Sequence, residues 1–117
     1  MRKNSIKNTR INEEVLRELS HIIRNEIKDP RIHMMTSVLR VEVAPDLKTA
    51  KVHISVMGSE KEKDDTIEGL NSAEGFIRTR LAKTVNLRNT PRLIFIKDES
   101  MEYAAHMSKL IDEVNSK

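Results

Sequence analysis

Four histidines, a run of acids and two blocks of Lys and Arg are the side chains of this 117-residue sequence that could do chemistry. Histidine can serve as an acid, a base or a metal ligand. His21, His33, His53 and His106 show no metal spacing, such as two His four apart on a helix with a Glu between them. His21 falls opposite an apolar stripe, His53 on the polar side of an alternating run, and His106 beside Met107. Asp29 and His33 flank a proline turn and are the one candidate catalytic pair. A hydrolase would need Asp29, His33 and His53 to converge in a polar pocket.

The acids Glu60, Glu62, Asp64, Asp65 and Glu68 alternate with Lys61 and Lys63. This reads as a solvated loop or a frayed helix start, and the spacing lacks the Gly placement of a calcium loop. Three glycines in the whole chain cannot build a phosphate loop. The absence of Cys excludes disulfides, Cys-containing zinc sites and thiol catalysis, and suits a reducing cytosol. No catalytic residue, metal or cofactor is expected.

The cations are more informative than their total. The formal net charge is +3, but residues 1–10 carry +4, 11–58 balance, 59–69 carry −3, 70–97 carry +5 and 98–117 carry −3. Helical phase places Arg80 and Lys83 on an exposed flank beside Phe76, with Arg78 on the opposite flank of the apolar stripe. Such faces, with the acid-free segment of Lys3, Lys7 and Arg10, suit a polyanion, because each neutralised phosphate releases counterions. Between them Ala73-Glu74-Gly75 marks a helix break. A break at small residues frees the N–H groups of the next helix start, and Gly75 lets another backbone approach. The alternative is a packing kink that lets two helices follow a sheet.

Those residues need elements to hold them. Ile11, Val15, Leu16, Leu19, Ile22, Ile23 and Ile27 recur at helical spacing, which predicts a first helix capped by Asn8, Thr9 or Asn12 and stopped at Pro30. Alternation predicts two strands. Leu39, Val41 and Val43 share one face of the first, opposite Val38, Arg40 and Glu42; Ala50, Val52, Ile54 and Val56 share one face of the second. Helical spacing resumes at Ile67 and runs to Val85 through a break near residues 73–75, followed by a strand from Arg92 to Lys97. Met101, Ala104, Met107, Leu110, Ile111 and Val114 mark a last, amphipathic helix.

The order predicts an α+β two-layer domain: three strands with helices on one face. At this length a single core can bury roughly two-thirds of the unfolded surface. With aromatics at 3%, aliphatic side chains must fill it, and a base-stacking sheet is excluded because only Phe95 lies on a strand. No apolar run reaches the roughly 20 residues of a membrane helix, and the N-terminus lacks the apolar stretch of a signal peptide. A cytoplasmic protein without membrane association is expected.

Helix-strand-strand-helix-helix-strand is the order of a type II K-homology domain. The residues resemble the bacterial ribosome-binding factor A family over about residues 5 to 115. The resemblance rests on Asn8-Thr9-Arg10-Ile11, Asp29-Pro30-Arg31, the stretch from Val41 to Gly58, Ser72 to Arg78, Leu87-Arg88 and Pro91-Arg92-Leu93. Where ordinary K-homology domains carry Gly-x-x-Gly, this chain has the Ala-x-Gly kink of that family, Ala73-Glu74-Gly75.

The resemblance implies one domain over residues 1–117, with a flexible basic arm over 1–8 and a short tail over 114–117. It implies a non-enzymatic assembly factor, monomeric when free, that binds the immature 30S subunit and its 16S rRNA. Its role would be in late maturation, including 5′-end processing, with no small-molecule substrate. Lys3, Lys7, Arg10, Arg31, Arg78, Arg80, Lys83, Arg88 and Arg92 would contact phosphates, and Ala73, Glu74 and Gly75 would shape the docking turn. A K-homology-like module that binds protein without touching RNA is the alternative.

Overall fold

The computed structural model describes residues 6–116, with the side chains from Thr9 onward. The elements are α1 (Ile6–Asn25), β1 (Thr36–Val43), β2 (Thr49–Val56), α2 (Glu60–Ser72), α3 (Glu74–Thr84), β3 (Arg92–Lys97) and α4 (Ser100–Asn115). The helix is already formed at Ile6, so Asn8, Thr9 and Asn12 lie inside α1 and do not cap it. Lys7 and Arg10 therefore sit on helical backbone, and residues 1–5 of the expected arm lie outside the described residues. Asn12 instead fastens α1 to the end of β1, its side-chain oxygen accepting from the Val43 N–H at 2.9 Å.

The sheet order is β1-β2-β3, with β1 antiparallel and β3 parallel to β2. A parallel neighbour requires a crossover, which α2 and α3 supply. One sheet face and three helices enclose the core. Val15, Leu19 and Ile22 of α1 meet Val52 and Ile54 of β2, Leu70 of α2, and Ile77 and Leu81 of α3. Central position explains why Ala50, Val52 and Ile54 are wholly buried. Phe95 faces this core, so it offers no ring for base stacking.

Alternation along β1 breaks once. Val38 pairs with Ile54 but Arg40 pairs with His53, leaving Leu39 as the extra residue of a bulge. Val38, not Leu39, therefore packs against the core with Val41 and Val43. Leu39 turns to a groove on the other side of the sheet, with Ser37 and Ser55.

Of the two readings of the acidic run, the structure shows the helix start and not the loop. It is the first half of α2, started by a capping box in which Ser59 accepts from the Glu62 N–H and Glu62 accepts from the Ser59 N–H. Helical geometry aims Lys63 inward. Its buried ammonium meets the carboxylates of Glu60, Glu99 and Glu102, which root α4 on α2. Those partners, Glu102 first and then Glu99, hold Lys63 well above the ordinary lysine range.

Beyond that root α4 buries none of its residues. Met101, Met107, Leu110, Ile111 and Val114 stay exposed, and the helix runs through Val114 and Asn115, where a tail was expected.

The turn after α1 is docked by α2. Thr66 is fully buried; its hydroxyl accepts from the His33 N–H at 3.0 Å and donates to the Glu62 carbonyl at 2.8 Å. Thr66→Val keeps the shape and leaves the His33 N–H without its acceptor, so it should cost about 1 to 3 kcal/mol. Urea titration measures this, and a loss below the lower bound means water replaces the hydroxyl.

Candidate nucleic-acid interface

The break between α2 and α3 is a single residue. Ala73 has φ −94° and ψ 4° and serves as the C-cap of α2 and the N-cap of α3. Its N–H reaches back to Gly69 and Leu70, and its carbonyl accepts from Ile77 at 2.9 Å. No side chain caps the first turn of α3, so the start of that helix presents backbone N–H groups outward. A Cβ added to Gly75 would meet nothing within 4 Å. Internal packing thus gives no reason for a glycine there, while close approach of an external backbone does.

Glu74 does not face that approach. Its carboxylate accepts from the Leu93 N–H at 2.9 Å, taking up a backbone donor at the start of β3 and holding the kink against it. Glu74 thus tethers the kink, which is compatible with the part expected of it in shaping the docking turn. The negative charge is drawn sideways, away from the open turn.

The cations fall into two groups. Arg10, Arg78, Lys83, Arg88 and Arg92 are exposed and, among the described residues, form no ion pair. Arg78 follows Glu74 by one turn, on the flank next to β3. Arg92 begins β3, and its N–H bonds the Lys48 carbonyl at the hairpin tip. Asn89, beside Arg88, donates to the Leu47 carbonyl of the same tip, where Leu47 takes a φ of 62°. The kink, the start of β3 and the hairpin tip are therefore knit into one margin carrying Arg78, Arg88 and Arg92.

The second group is engaged internally. Arg80 lies over Phe76, 5.8 Å from the ring centre, and its Nε meets Glu26 at 2.6 Å. Phe76 is 48% exposed, as the helical phase implied. Arg31 forms a two-pronged pair with Asp29 at 3.1 and 2.7 Å, and sits where Gly69 lets the turn press on α2. Arg31 and Arg80 already hold carboxylates and bring less uncompensated charge than their sequence suggests. Lys3 lies outside the described residues, as does the side chain of Lys7.

Arg31 holds the Asp29 carboxyl down from 3.8 to about 2, first through its side-chain hydrogen bonds and then through its backbone N–H. A depressed carboxyl pKa stabilises the fold above the unfolded value and loses that contribution as pH falls through the folded one. Between pH 4 and about 2 the native chain should therefore lose stability more steeply than Asp29→Asn. Thermal melts across that window test it; parallel curves would mean the pair persists in the unfolded chain.

The histidines do not assemble a catalytic site. His33 accepts the Met35 N–H on Nδ1 and turns Nε2 to Glu62 at 3.6 Å, while Asp29 is taken by Arg31. His53 stands on the opposite sheet face, between Glu42 at 3.3 Å and Asp98 at 3.2 Å. Ser100, through its hydroxyl and its N–H, holds Asp98 below the usual carboxylate range. His21 contacts Asn25 and Glu26. Among the described residues no three His, Cys, Asp or Glu gather as metal ligands, and no helix is long and apolar enough to cross a membrane.

A three-stranded sheet with one parallel pair, spanned by a helix pair broken at Ala-x-Gly, defines a type II K-homology-like domain with a cationic margin. Residues 7–111 match the family model of Ribosome-binding factor A. A relative of that name from Lachnospira eligens is 72% identical over 114 residues, covering 97% of this chain and 88% of the relative. One from Caldanaerobacter subterraneus is 46% identical, covering 98% and 94%. The chain belongs to the ribosome-binding factor A family.

Its fold is similar to the crystal structure of ribosome-binding factor A from Thermus thermophilus, with a TM-score of 0.69, 24% identity and coverage of 77% and 94%. It is also similar to a homology model of that Thermus factor fitted into an electron-microscopy map of its 30S complex, with a TM-score of 0.62, 24% identity and coverage of 75% and 91%.

Proposed function

We propose that this chain binds the small ribosomal subunit through 16S rRNA during late maturation, supports 5′-end formation and performs no catalysis itself. The observation that carries the reading is the open turn at Ala73-Gly75. An uncapped helix start, a glycine with free space above it and unpaired arginines beside it can receive phosphate without moving the scaffold. Membership of the family, and a relative fitted in complex with a 30S subunit, support the choice of polyanion. The exposed cations Arg10, Arg78, Lys83, Arg88 and Arg92 would make the phosphate contacts, with Lys3 and Lys7 extending them. Recognition would be of RNA backbone and shape, since Phe95 is buried and no aromatic row faces out.

Co-sedimentation tests it. The chain should pellet with immature small subunits in preference to large subunits and 70S ribosomes, with affinity falling steeply between about 50 and 200 mM salt. Equal retention by all particles overturns the subunit assignment, and salt-insensitive binding favours the protein-binding alternative. Primer extension on 16S rRNA from depleted cells should reveal unprocessed 5′ ends. Normal ends with reduced subunit assembly would separate processing from binding.

A further inference from the structure

A groove beside β1 is one that the rRNA reading does not use. β1 is a terminal strand of the sheet. The Met35 carbonyl accepts from the Met57 N–H, toward β2, whereas the Val43 N–H points the other way, to Asn12. Backbone alternation then turns the peptide groups of Thr36 and Val38 away from β2. Asn12 closes one end of this edge, and the end that holds Thr36 and Val38 is left with a pairing surface.

Three clefts run alongside it, and Arg24 and Thr36 line all of them. One, of about 510 Å³, has Ile23, Ile27 and Ile32 in its wall. The middle one, about 260 Å³, separates Ser20 and Ile23 of α1 from Ser37 and Val38 of β1. The third, about 960 Å³, is walled by Met34, Met35, Met57 and Met101 together with Leu39, the bulged residue. Arg24 is exposed at their junction and, among the described residues, forms no ion pair.

We propose that this groove docks an extended peptide from a partner protein, added as a fourth strand beside β1. Its apolar side chains lie in the two outer clefts, and a carboxylate between them meets Arg24. Each feature selects for that occupant. Unpaired strand backbone supplies main-chain hydrogen bonds, and clefts on alternate sides read alternate side chains. Methionine walls adapt to different apolar side chains. The walls carry isoleucine, leucine and methionine, with Arg24 and Lys28 as the cations among them, which suits an apolar peptide carrying a carboxylate better than a polyanion. The proposal does not depend on the subunit reading and can stand or fall without it.

The test uses the full chain and synthetic ten-residue peptides in which Val alternates with Thr and the centre is Asp or Lys. By fluorescence anisotropy the Asp peptide should bind in the micromolar range, with the Lys peptide at least about tenfold weaker. Arg24→Glu should invert that preference and Arg24→Gln should erase it, with unchanged thermal melts showing that both variants fold. Amide exchange followed by NMR should become slower at Thr36 and Val38 when the Asp peptide is added.

No binding up to about 1 mM, or binding indifferent to the central charge, overturns the proposal. Protection of Thr36 and Val38 that rises with protein concentration alone assigns the edge to a second copy. Protection by a single-stranded RNA decamer assigns it to nucleic acid. Either result replaces the peptide.

Discussion

Reversing Arg78, Lys83 and Arg88 to Glu together should lower affinity for the immature small subunit by roughly two to three orders of magnitude at about 0.1 M salt. Each phosphate contact adds roughly 0.7 to 0.9 to the slope of log affinity against log salt. Removing three flattens the slope by roughly 2 to 3, and the same factor sets the affinity loss at tenfold below 1 M. The fold should not suffer, because these side chains are exposed and unpaired among the described residues. Substitutions at such positions usually stay within about 0.5 kcal/mol.

Arg31 and Arg80 make the informative controls. Each gives up an internal carboxylate when neutralised, Asp29 in one case and Glu26 in the other. Their glutamine variants should change the salt slope less than the loss of an unpaired cation does. Sedimentation binding at four salt concentrations decides it. An unchanged slope in the triple variant would take these three cations off the interface.

The two helical glycines around the kink should respond to alanine with opposite signs. At Gly69 a Cβ would stand 3.0 Å from the Ile32 side chain and 3.2 Å from the Arg31 Cβ. Arg31 is anchored by Asp29, so the turn has little freedom to retreat. Overpacking costs about 1 to 3 kcal/mol, and helix propensity returns up to about 1, leaving a net loss of about 1 kcal/mol. At Gly75 the added methyl meets nothing. Alanine there should raise stability by about 0.5 kcal/mol by restricting the unfolded chain.

Binding should separate them further. Gly75→Ala should lose about tenfold in subunit affinity even though it is the more stable protein, because the methyl occupies the space through which an RNA backbone approaches. Gly69→Ala, once folded, should bind as the parent does. Denaturant titration and sedimentation on the same preparations test both. Full binding by Gly75→Ala would reduce the kink to a packing device.

Much of this was legible in one dimension. The spacing of Val15, Leu19 and Ile22, the alternation of Ala50, Val52, Ile54 and Val56, and the small residues at 73–75 each reflect a local periodicity, so they predicted α1, β2 and the kink. Ser59 and Glu62 spell out a capping box three residues apart, a local signal that the charge of the run concealed. The bulge at Leu39 was not legible, since a strand with one unpaired residue alternates in sequence like any other until its partner sets the register.

The sequence by itself determined which elements form, which side chains make the core and where the cations concentrate, because periodicity and charge are properties of neighbouring residues. Only the tertiary structure decided which cations remain unpaired. Glu26 lies 54 residues from Arg80, and Glu74 reaches 19 residues ahead to Leu93. Partners so distant in the chain are chosen by packing, and packing alone turned the acid of the kink away from its open face.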